Sequence, residues 1–535
     1  MSLIRTTCTC TLFFPSTFGI YRWPSCIPPS VRLVYIFFVY PYYASPLRRL
    51  PGPKDHHFLI GHQLNQFRSG SPEEPYKSWM NQWPHEPFIR YFEVGNADAV
   101  LINSLEPYRE VLHTKCYSFV RTKPFRRLIG DIIGVGLVFA EGTEHIAQRK
   151  ALGGENPPIL CPSSKSNGPR VAYLPIFSDK AQRLANEIGS LCSANGGLVE
   201  SMYTESEGHS CFYTLKITLD VIGIFCLGID LANLEGKTEF LTCYQKMFDL
   251  SPLGMTLAAV NLVLPIRWLP FPENIAFLSA SARLRAILTD MVEERIQKLA
   301  EFRQSSNRTD LLTYMIEEKY NSKKDAWSKE DLVEQVLNVM ATGHETTASA
   351  LTWATLALSQ NPHVVEKLRA EAEPLYQRDS SLDFADIEHL HYLDYFLREV
   401  VRVYCPVSGI PREAIEDVVI AGQLIPKGTI VMPVPAVIQH NPSIWGEDAS
   451  QFDPDRWGRI SGGASENTYA WAAFGHGPRS CIGKAFAMLN FKTVILALVT
   501  QYNIEPLRND KVEVVNPSGQ LRPREGLWMR ISKAN

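Results

Sequence analysis

The sequence predicts a mainly α-helical fold with a small β region. Most of residues 175–405 shows helical periodicity in its apolar residues. Two short runs, FIRYFEV and DAVLIN, flank Gly95 and Asn96 and predict a β-hairpin. A segment of about thirty residues beginning near Ser328 predicts one helix of roughly 45 Å, which would cross a whole domain.

The N-terminal segment, residues 1–49, is apolar but irregular. Its runs TLFFPSTFGI and LVYIFFVYPYYASPL are separated by arginines and prolines, and neither alone reaches the about 20 apolar residues of a spanning helix. The basic sequence LRRLPGPK follows directly, as on the cytosolic flank of an anchor. We expect a membrane-associated segment followed by one folded domain, residues 50–535. A signal peptide is the less favoured alternative.

Charge and cysteine content narrow the class of protein. The chain has 53 basic and 56 acidic residues, a net charge of -3, which predicts no general attraction to nucleic acid. Its 11 cysteines are scattered and form no C-x-x-C pair. An odd, scattered set indicates reduced thiols and a body that faces the cytosol.

The long helix breaks ordinary helix rules at its centre. Ser328 and Asp331 have capping-box spacing, and Pro362 marks the start of the next helix. Between these ends, the sequence ATGHETT places Gly343, Glu345 and Thr346 among apolar turns. One interpretation is that this polar sequence interrupts the apolar helix because it has a function. The alternative is a flexible core helix whose threonine hydroxyls bond to carbonyl oxygens four residues earlier.

A second polar group of interest lies on the helix YFLREVVRVYCP. Glu399 and Arg402 are three residues apart and share one helix face. Arg456, in the loop FDPDRW, is placed where it can reach this pair. The alternative is an ordinary surface ion pair, which contributes roughly 0 to 1 kcal/mol.

The segment FGHGPRSCIG surrounds Cys481 with three glycines. Gly475 and Gly477 permit tight turns, and Gly483 removes side-chain bulk beside the sulfur. These residues would allow a large flat group to approach the cysteine. The alternative is a buried, inert thiol, the usual state of a free cysteine.

The GHETT helix, the Glu399 and Arg402 pair, the FDPDRW loop and the cysteine segment follow one another along the chain in this order. Together they resemble the cytochrome P450 family of haem-thiolate monooxygenases. The family signature F-x-x-G-x-R-x-C-x-G is matched by Phe474, Gly477, Arg479, Cys481 and Gly483. The resemblance extends from LPGP, after residue 49, to RPREGLWMRI near the end of the chain. Two stretches, SPLRRLPGP and GQLRPREGLWMRI, are similar to fungal members.

The resemblance implies haem b, with the Cys481 thiolate as axial ligand of the iron. It implies cations that hold the haem propionates. Arg479, Arg412 and Arg149 are the candidates. His145 stands where the family usually has tryptophan, and it either donates to a propionate or lies exposed on its helix. Phe474, Gly475 and Gly483 would form the loop beneath the porphyrin.

On the opposite side of the haem, Gly343 would open the long helix for dioxygen. Glu345 and Thr346 resemble the acid and alcohol pair that delivers protons for oxygen cleavage. Thr342 takes a position often occupied by alanine. Glu399, Arg402 and Arg456 resemble the structural triad of the family, which holds the fold and performs no chemistry.

The implied function is insertion of one oxygen atom from O2 into a small apolar organic substrate. Electrons would come from a separate NADPH-dependent reductase, which would dock on a basic face formed by Lys484, Arg149 and Lys150. The implied location is the endoplasmic reticulum membrane. Two alternatives are a haem-thiolate isomerase or dehydratase of hydroperoxides and a non-catalytic haem-binding protein. Intact Glu345 and Thr346 argue against both.

One segment departs from the family pattern. Residues 153–170, within GGENPPILCPSSKSNGPRVA, are rich in proline, glycine and serine and cannot continue a helix. One interpretation is a surface insertion. The favoured one is retained non-coding sequence in the gene model, which would put haem loading of this chain in doubt.

Overall fold

The structure, a computed structural model, is mostly helical, as the sequence predicts. It describes residues 28–534 except 64, 66–68, 70, 72, 154–168, 195–197, 204–212, 237, 249, 302–309, 322–326, 378–381, 460–463, 465, 508–511, 516–520 and 525.

The helices of the first half are α1 Pro29–Val34, α2 Glu74–Gln82, α3 Leu105–Arg109, α4 Lys123–Ile133, α5 Gly142–Gly153, α6 Pro169–Ala194, α7 Tyr213–Leu227, α8 Glu239–Phe248 and α9 Pro252–Val263. Those of the second half are α10 Pro272–Glu301, α11 Leu311–Asn321, α12 Lys329–Gln360, α13 Pro362–Tyr376, α14 Phe384–Glu388, α15 His391–Val403, α16 Pro435–His440, α17 Pro442–Trp445, α18 Arg456–Arg459 and α19 Lys484–Gln501.

The strands are β1 Phe88–Phe92, β2 Asp98–Ile102, β3 Phe119–Arg121, β4 Leu198–Tyr203, β5 Arg412–Ala414, β6 Val418–Ile420, β7 Gln423–Ile425, β8 Ile430–Met432, β9 Tyr502–Pro506, β10 Val514–Val515, β11 Arg522–Pro523 and β12 Leu527–Lys533. They form a five-stranded sheet in the order β1-β2-β8-β5-β3, a three-stranded sheet β4-β12-β9, and the pairs β6-β7 and β10-β11. In the five-stranded sheet only the β2-β8 pair is parallel.

The predicted hairpin is confirmed. Strands β1 and β2 pair antiparallel in the register Phe88 to Ile102. In the turn between these two strands, Gly95 and Asn96 have positive φ angles of +74° and +55°, respectively. Glycine and asparagine tolerate this left-handed region better than other residues, so the pair of residues explains where the chain turns.

The long helix, α12, is also confirmed and forms the centre of the main core. The Ser328 side chain accepts from the Asp331 N–H and the Asp331 side chain accepts from the Ser328 N–H, a complete capping box. Helix α12 has 32 residues, most of them buried. It packs against α7, α10 and α19. The position of α19 matters for the site, because this helix begins directly after the cysteine loop.

The N-terminal segment is described only from residue 28, so the run TLFFPSTFGI lies outside the described residues. Helix α1 continues directly into a π-helical run, Tyr35–Ala44. Among the described residues, none of the helices has both the length and the apolar character needed to cross a membrane. The membrane-associated segment therefore stays a prediction.

The atypical segment 153–170 lies largely outside the described residues as well. Helix α5 ends at Gly153 and α6 begins at Pro169. Residues 154–168 are not described, so both interpretations of this segment stay predictions.

Candidate functional site

The loop around Cys481 is shaped by its glycines. Gly475 and Gly477 have φ angles of +62° and +69°, a region that glycine adopts without steric cost. A Cβ atom on Gly477 would lie 2.3 Å from the carbonyl oxygen of Leu112, so a side chain would clash there. The backbone N–H of Cys481 donates to the carbonyl oxygen of Phe474 over 2.8 Å. The loop is therefore a closed, tight turn that ends just before α19.

The Cys481 thiol is open on one side. Among the described cysteines it is exposed, whereas those at positions 116, 192, 226, 243 and 405 are buried. Surrounding protein nevertheless raises the pKa of the thiol by desolvation, and the Gly483 N–H and the charges of Arg149 and Lys484 lower it. A Cβ atom on Gly483 would lie only 4.0 Å from the sulfur. An exposed sulfur does not fit the alternative of a buried, inert thiol.

A group of charged residues, the cation cluster, lies beside the cysteine loop. It consists of Arg121, Arg412, Arg479 and the carboxylate Glu141. Arg121 and Arg412 are directly opposite each other in β3 and β5. Glu141 forms an ion pair with Arg479 and lies 3.5 Å from Nη1 of Arg121. The Arg121 and Arg479 side chains are 7% and 3% exposed. Three buried cations therefore share one carboxylate within this cluster.

The cation cluster has unsatisfied hydrogen-bond donors. Nε and Nη1 of Arg121, Nη1 of Arg412 and Nε of Arg479 are buried without a hydrogen-bond partner among the described residues. Burial and then the Arg479 charge lower the pKa of Arg412 to about 10. Burial and the same kind of repulsion lower the pKa of Arg121. Buried charges are normally paired, and like charges opposite each other in a sheet are unfavourable. The cluster therefore fits an added anion.

His145 lies against this cluster and is 2% exposed, so the alternative of an exposed histidine is wrong. The Tyr117 hydroxyl lies 3.1 Å from its Nδ1 atom. Desolvation, followed by the charges of Arg479, Arg121 and Arg149, lowers its pKa to about 4. The imidazole is therefore neutral near pH 7 and has one N–H to donate.

Arg149 reaches the cysteine loop from α5. Its Nη1 and Nη2 atoms donate to the carbonyl oxygen and the hydroxyl of Ser480, the residue before Cys481. Sequence reasoning missed Arg121 and Glu141. The arginines of FVRTKPFRR are visible in the sequence, but only the pairing of β3 with β5 distinguishes Arg121 from its neighbours.

Helix α12 has one open face in its buried centre. Four residues there are half-buried, whereas the residues between them are mostly buried; the four are Val339, Thr342, Gly343 and Thr346. Their spacing of three and four residues puts them on one side of the helix. The open face therefore contains Thr346, as expected for a residue that lines a site.

The threonine hydroxyls in this region donate back to the helix. Thr342 donates to the Asn338 carbonyl oxygen over 2.7 Å, and Thr346 donates to the Thr342 carbonyl oxygen over 2.8 Å. Thr347 bonds to the Gly343 carbonyl oxygen in the same way. Satisfied hydroxyls, the alternative interpretation, are thus confirmed. Each hydroxyl oxygen still has lone pairs that can accept a hydrogen bond from a group at the open face.

Gly343 and Glu345 are placed differently from Thr346. A Cβ atom on Gly343 would lie 2.7 Å from Cδ1 and 3.1 Å from Cγ1 of Ile222 in α7, so close helix packing is one reason for a glycine here. The role of Gly343 in admitting dioxygen stays a prediction. Glu345 is buried off the open face, with its Oε1 atom 3.4 Å from Nε2 of His344. Among the described residues, no hydrogen bond or ion pair joins Glu345 or Thr346 to the cysteine loop.

Glu399, Arg402 and Arg456 form a buried network, so the surface-pair alternative is wrong. Both oxygens of Glu399 accept from Arg402, over 2.8 and 2.7 Å, and Arg456 Nε donates over 3.2 Å. Glu399 and Arg402 are 0% exposed. Arg402 also donates to carbonyl oxygens of Gln439 and Gln451. The network joins α15 to the loops that precede the cysteine segment.

Comparison with known proteins agrees with this geometry. A family model described as Cytochrome P450 matches residues 51–528. The chain is 28% identical to "Cytochrome P450 monooxygenase sphH" of Aspergillus fumigatus, over 94% of this chain and 91% of the relative. It is 28% identical to "Cytochrome P450 monooxygenase ptmK" of Penicillium ochrochloron, over 96% and 98%. For "Cytochrome P450 monooxygenase FUM15" of Gibberella moniliformis the identity is 27%, over 89% and 85%. The chain belongs to the cytochrome P450 family.

Proposed function

We propose that this cytochrome P450 monooxygenase inserts one oxygen atom from dioxygen into an apolar organic substrate, with electrons from a separate NADPH-dependent reductase. In this reaction a substrate C–H bond becomes C–OH, and the second oxygen atom takes up two electrons and two protons and leaves as water. The observation that carries the proposal is an exposed cysteine next to a buried surplus of positive charge.

The residues present fit haem b. Cys481 would hold the iron as a thiolate, in the loop that contains Phe474, Gly475 and Gly483. The cation cluster would bind the two propionates through charge-assisted hydrogen bonds and so satisfy its unpartnered donors. His145 and Arg149 adjoin this cluster. When bound, the haem supplies the iron that activates dioxygen, and a thiolate ligand favours O–O cleavage.

The open face of α12 supports the distal half of the proposal. The Thr346 oxygen can accept a hydrogen bond at this face, and Glu345 would provide protons from the adjacent buried position. General acid assistance of this kind contributes about 10²- to 10⁴-fold to a reaction. Because the Thr342 and Thr346 hydroxyl hydrogens are directed back to the helix, the face offers few donors to a substrate. This favours an apolar substrate.

An acidic reductase would dock near the cysteine loop. Lys484 and Lys150 are exposed there, while Arg149 is engaged with Ser480. The Lys484 ammonium lies 4.6 Å from the centre of the Trp471 ring, close to the loop residue Phe474. Positive charge at this face would attract a negatively charged partner despite the net charge of the chain.

We also propose attachment to the endoplasmic reticulum membrane, with the folded domain in the cytosol. The support is the apolar N-terminal helix, α1 and its π-helical continuation, whose residues Leu33, Phe38 and Tyr43 are exposed. The basic residues Arg48 and Arg49 follow this helix.

The central test is the carbon monoxide difference spectrum of the reduced protein. We expect the red-shifted band of thiolate-ligated haem in the wild type and its loss in Cys481→Ala. Cys405→Ala, which changes a buried cysteine, is the matched control and should keep the band. Retention of the band in Cys481→Ala would place the ligand on another residue.

A second measurement separates the monooxygenase from the two alternatives. An isomerase or dehydratase of hydroperoxides and a non-catalytic haem protein do not consume NADPH for product formation. With reductase added, we therefore expect substrate-dependent NADPH oxidation and one oxygen atom from labelled O2 in the product. Product formation from a hydroperoxide without NADPH would instead favour the isomerase or dehydratase.

A further inference from the structure

His344, which precedes Glu345, has one ring nitrogen within hydrogen-bond distance of the helix backbone. Its Nδ1 atom lies 3.1 Å from the carbonyl oxygen of Met340, one turn earlier in α12. A carbonyl oxygen can only accept a hydrogen bond, so Nδ1 must carry a hydrogen. If the ring is neutral, Nε2 is then an acceptor with no hydrogen of its own.

The Nε2 atom of His344 faces the carboxyl group of Glu345. The distance from Nε2 to Oε1 is 3.4 Å, and both side chains are buried. An ionised carboxylate is also an acceptor, so a neutral His344 and an ionised Glu345 would direct two lone pairs at each other. The contact is favourable only when one proton lies on Nε2 or on Oε1. A single proton on either atom would replace this repulsion between two acceptors by an attraction, and the pair lies beside the open face of α12.

Tyr244 of α8 contacts the His344 side chain of this pair. Its ring packs edge-on against the His344 ring, with centroids 4.5 Å apart. Its hydroxyl is buried without a hydrogen-bond partner among the described residues. Desolvation, and then the charge of Glu345, raises the pKa of Tyr244. The hydroxyl thus keeps its proton, and its O–H is an unused hydrogen-bond donor.

We infer that His344 is a positioning residue that shares a proton with Glu345, and that this pair holds the proton which Glu345 delivers during oxygen reduction. Delivery leaves a neutral imidazole and a carboxylate, which the Tyr244 hydroxyl stabilises. One proton from water then restores the pair, and the electrons are those of the reductase. The inference rests on the proposed function, specifically on the proton-delivering role of Glu345.

The test uses the haem-loaded, full-length protein with reductase. His344→Asn retains a donor for the Met340 carbonyl oxygen but removes Nε2, and Tyr244→Phe removes a single oxygen atom. The matched control is His440→Asn, because His440 bonds to the carbonyl oxygen of Ala436 over 2.9 Å in the same helical geometry. Glu345→Gln serves as the reference for loss of the proposed proton donor itself.

The readouts are product formed per NADPH oxidised, hydrogen peroxide released, and the solvent deuterium isotope effect on product formation. We expect His344→Asn to lower the product yield per NADPH by about tenfold, less than complete loss of the general acid. Peroxide and the isotope effect should both rise, because proton delivery then limits product formation. Tyr244→Phe should show the same changes to a smaller extent, and His440→Asn should show none.

The results distinguish the proton-sharing role of His344 from the proposed role of Glu345. Unchanged yield and isotope effect in His344→Asn, with a loss in Glu345→Gln, would overturn this inference and leave the proposed function intact. Unchanged values in Glu345→Gln would overturn the proposed role of Glu345 itself. If His344→Asn binds no haem, Tyr244→Phe decides alone, and wild-type yield and isotope effect in that variant would overturn the inference.

Discussion

Among single residues, the arginines of the cation cluster have the clearest physical consequence. Burial, and then the repulsion among the three guanidinium groups, lowers the pKa values of Arg121 and Arg412, and the single carboxylate of Glu141 does not offset this. An anion that binds there contributes attraction and also removes this repulsion. The same residues should therefore destabilise the haem-free protein and stabilise the haem-bound protein.

The first prediction tests these opposite effects of Arg121 on the stability of the haem-free and haem-bound protein. Arg121→Gln should raise the thermal stability of the haem-free protein and weaken haem binding by about tenfold to a hundredfold, since hydrogen bonds to charged groups contribute about 1.5–3 kcal/mol. Haem titration and thermal unfolding measure the two effects. Arg126→Gln, on the exposed side of α4, is the control. A loss of stability in both forms would show that Arg121 only supports the fold.

The second prediction concerns His145 and acid. The pKa of His145 is lowered from 6.5 to about 4 in the folded protein, so between these values the unfolded chain binds a proton that the folded chain does not. The free energy of unfolding should therefore decrease as the pH falls through this window. In urea titrations of the haem-free protein, His145→Gln should lose less stability than the wild type between pH 7 and pH 4.5. Equal losses would contradict the buried, neutral state.

These residues also show what sequence reasoning can and cannot find. Cys481 and Arg479 belong to a local motif, so their neighbours in the chain identify them. Arg121 and His344 carry no local signal. The first matters because β3 pairs with a distant strand, and the second because the ring meets Tyr244 of another helix. Such contacts depend on tertiary packing, which one sequence does not contain.

Between helices, the close contact of α7 with α12 depends on a glycine. Gly343 lets Ile222 approach to a distance that a side chain would forbid. The third prediction is that Gly343→Ala causes strain of about 1–3 kcal/mol, which exceeds the about 1 kcal/mol that alanine gains in a helix. Urea unfolding should show a net loss of stability.

Ile222→Val supplies the companion variant, because it removes the Cδ1 atom that meets the new Cβ. Alone it should cost about 0.5–1.5 kcal/mol. Combined with Gly343→Ala, it should relieve the strain. The double variant should therefore lose less stability than the sum of the losses in the two single variants. Additive losses would indicate that the two side chains do not meet.

The fourth prediction concerns the network that joins α15 to the loops before the cysteine segment. Arg402→Ala leaves the buried carboxylate of Glu399 with fewer partners, and breaking a buried pair costs about 3–5 kcal/mol. We expect little folded, haem-loaded protein, measured as haem absorbance per protein. Arg398→Ala is the control, because Arg398 is only half-buried on the same helix, where it pairs with Asp394. A normal yield of Arg402→Ala would show that the network is dispensable.

The elements themselves were more predictable than their surroundings. The capping box at Ser328 and the turn at Gly95 and Asn96 are set by local hydrogen bonds and backbone angles, so the sequence predicts them correctly. The burial of Glu399 and Arg402 was not predictable from their helix, since an i, i+3 pair has the same spacing on a surface. Burial follows from the loops that cover the pair.

In the chain as a whole, the apolar N-terminal helix exposes several of its side chains. The side chains of Leu33 and Phe38 are 41% and 45% exposed, respectively, and several apolar neighbours are also exposed. Exposed apolar side chains gathered on one segment indicate a surface that is covered by something else. The basic residues Arg48 and Arg49 stand at its end, which is typical of the cytosolic edge of a bilayer. A membrane surface is therefore the expected covering.

The fifth prediction tests this surface without deleting any element. Leu33→Glu and Phe38→Glu together should lower the fraction of protein that floats with phosphatidylcholine vesicles by at least about tenfold, since each buried apolar side chain contributes about 1.5–3 kcal/mol and 1.4 kcal/mol corresponds to tenfold. Thermal stability should hardly change, because neither side chain is in the core. The matched control is Val419→Glu with Leu424→Glu in the β6-β7 pair, where the two side chains are exposed to a similar extent, 51% and 42%. This control should leave flotation unchanged. If both double variants float like the wild type, the N-terminal helix does not bind the membrane, and the attachment must lie in another part of the chain.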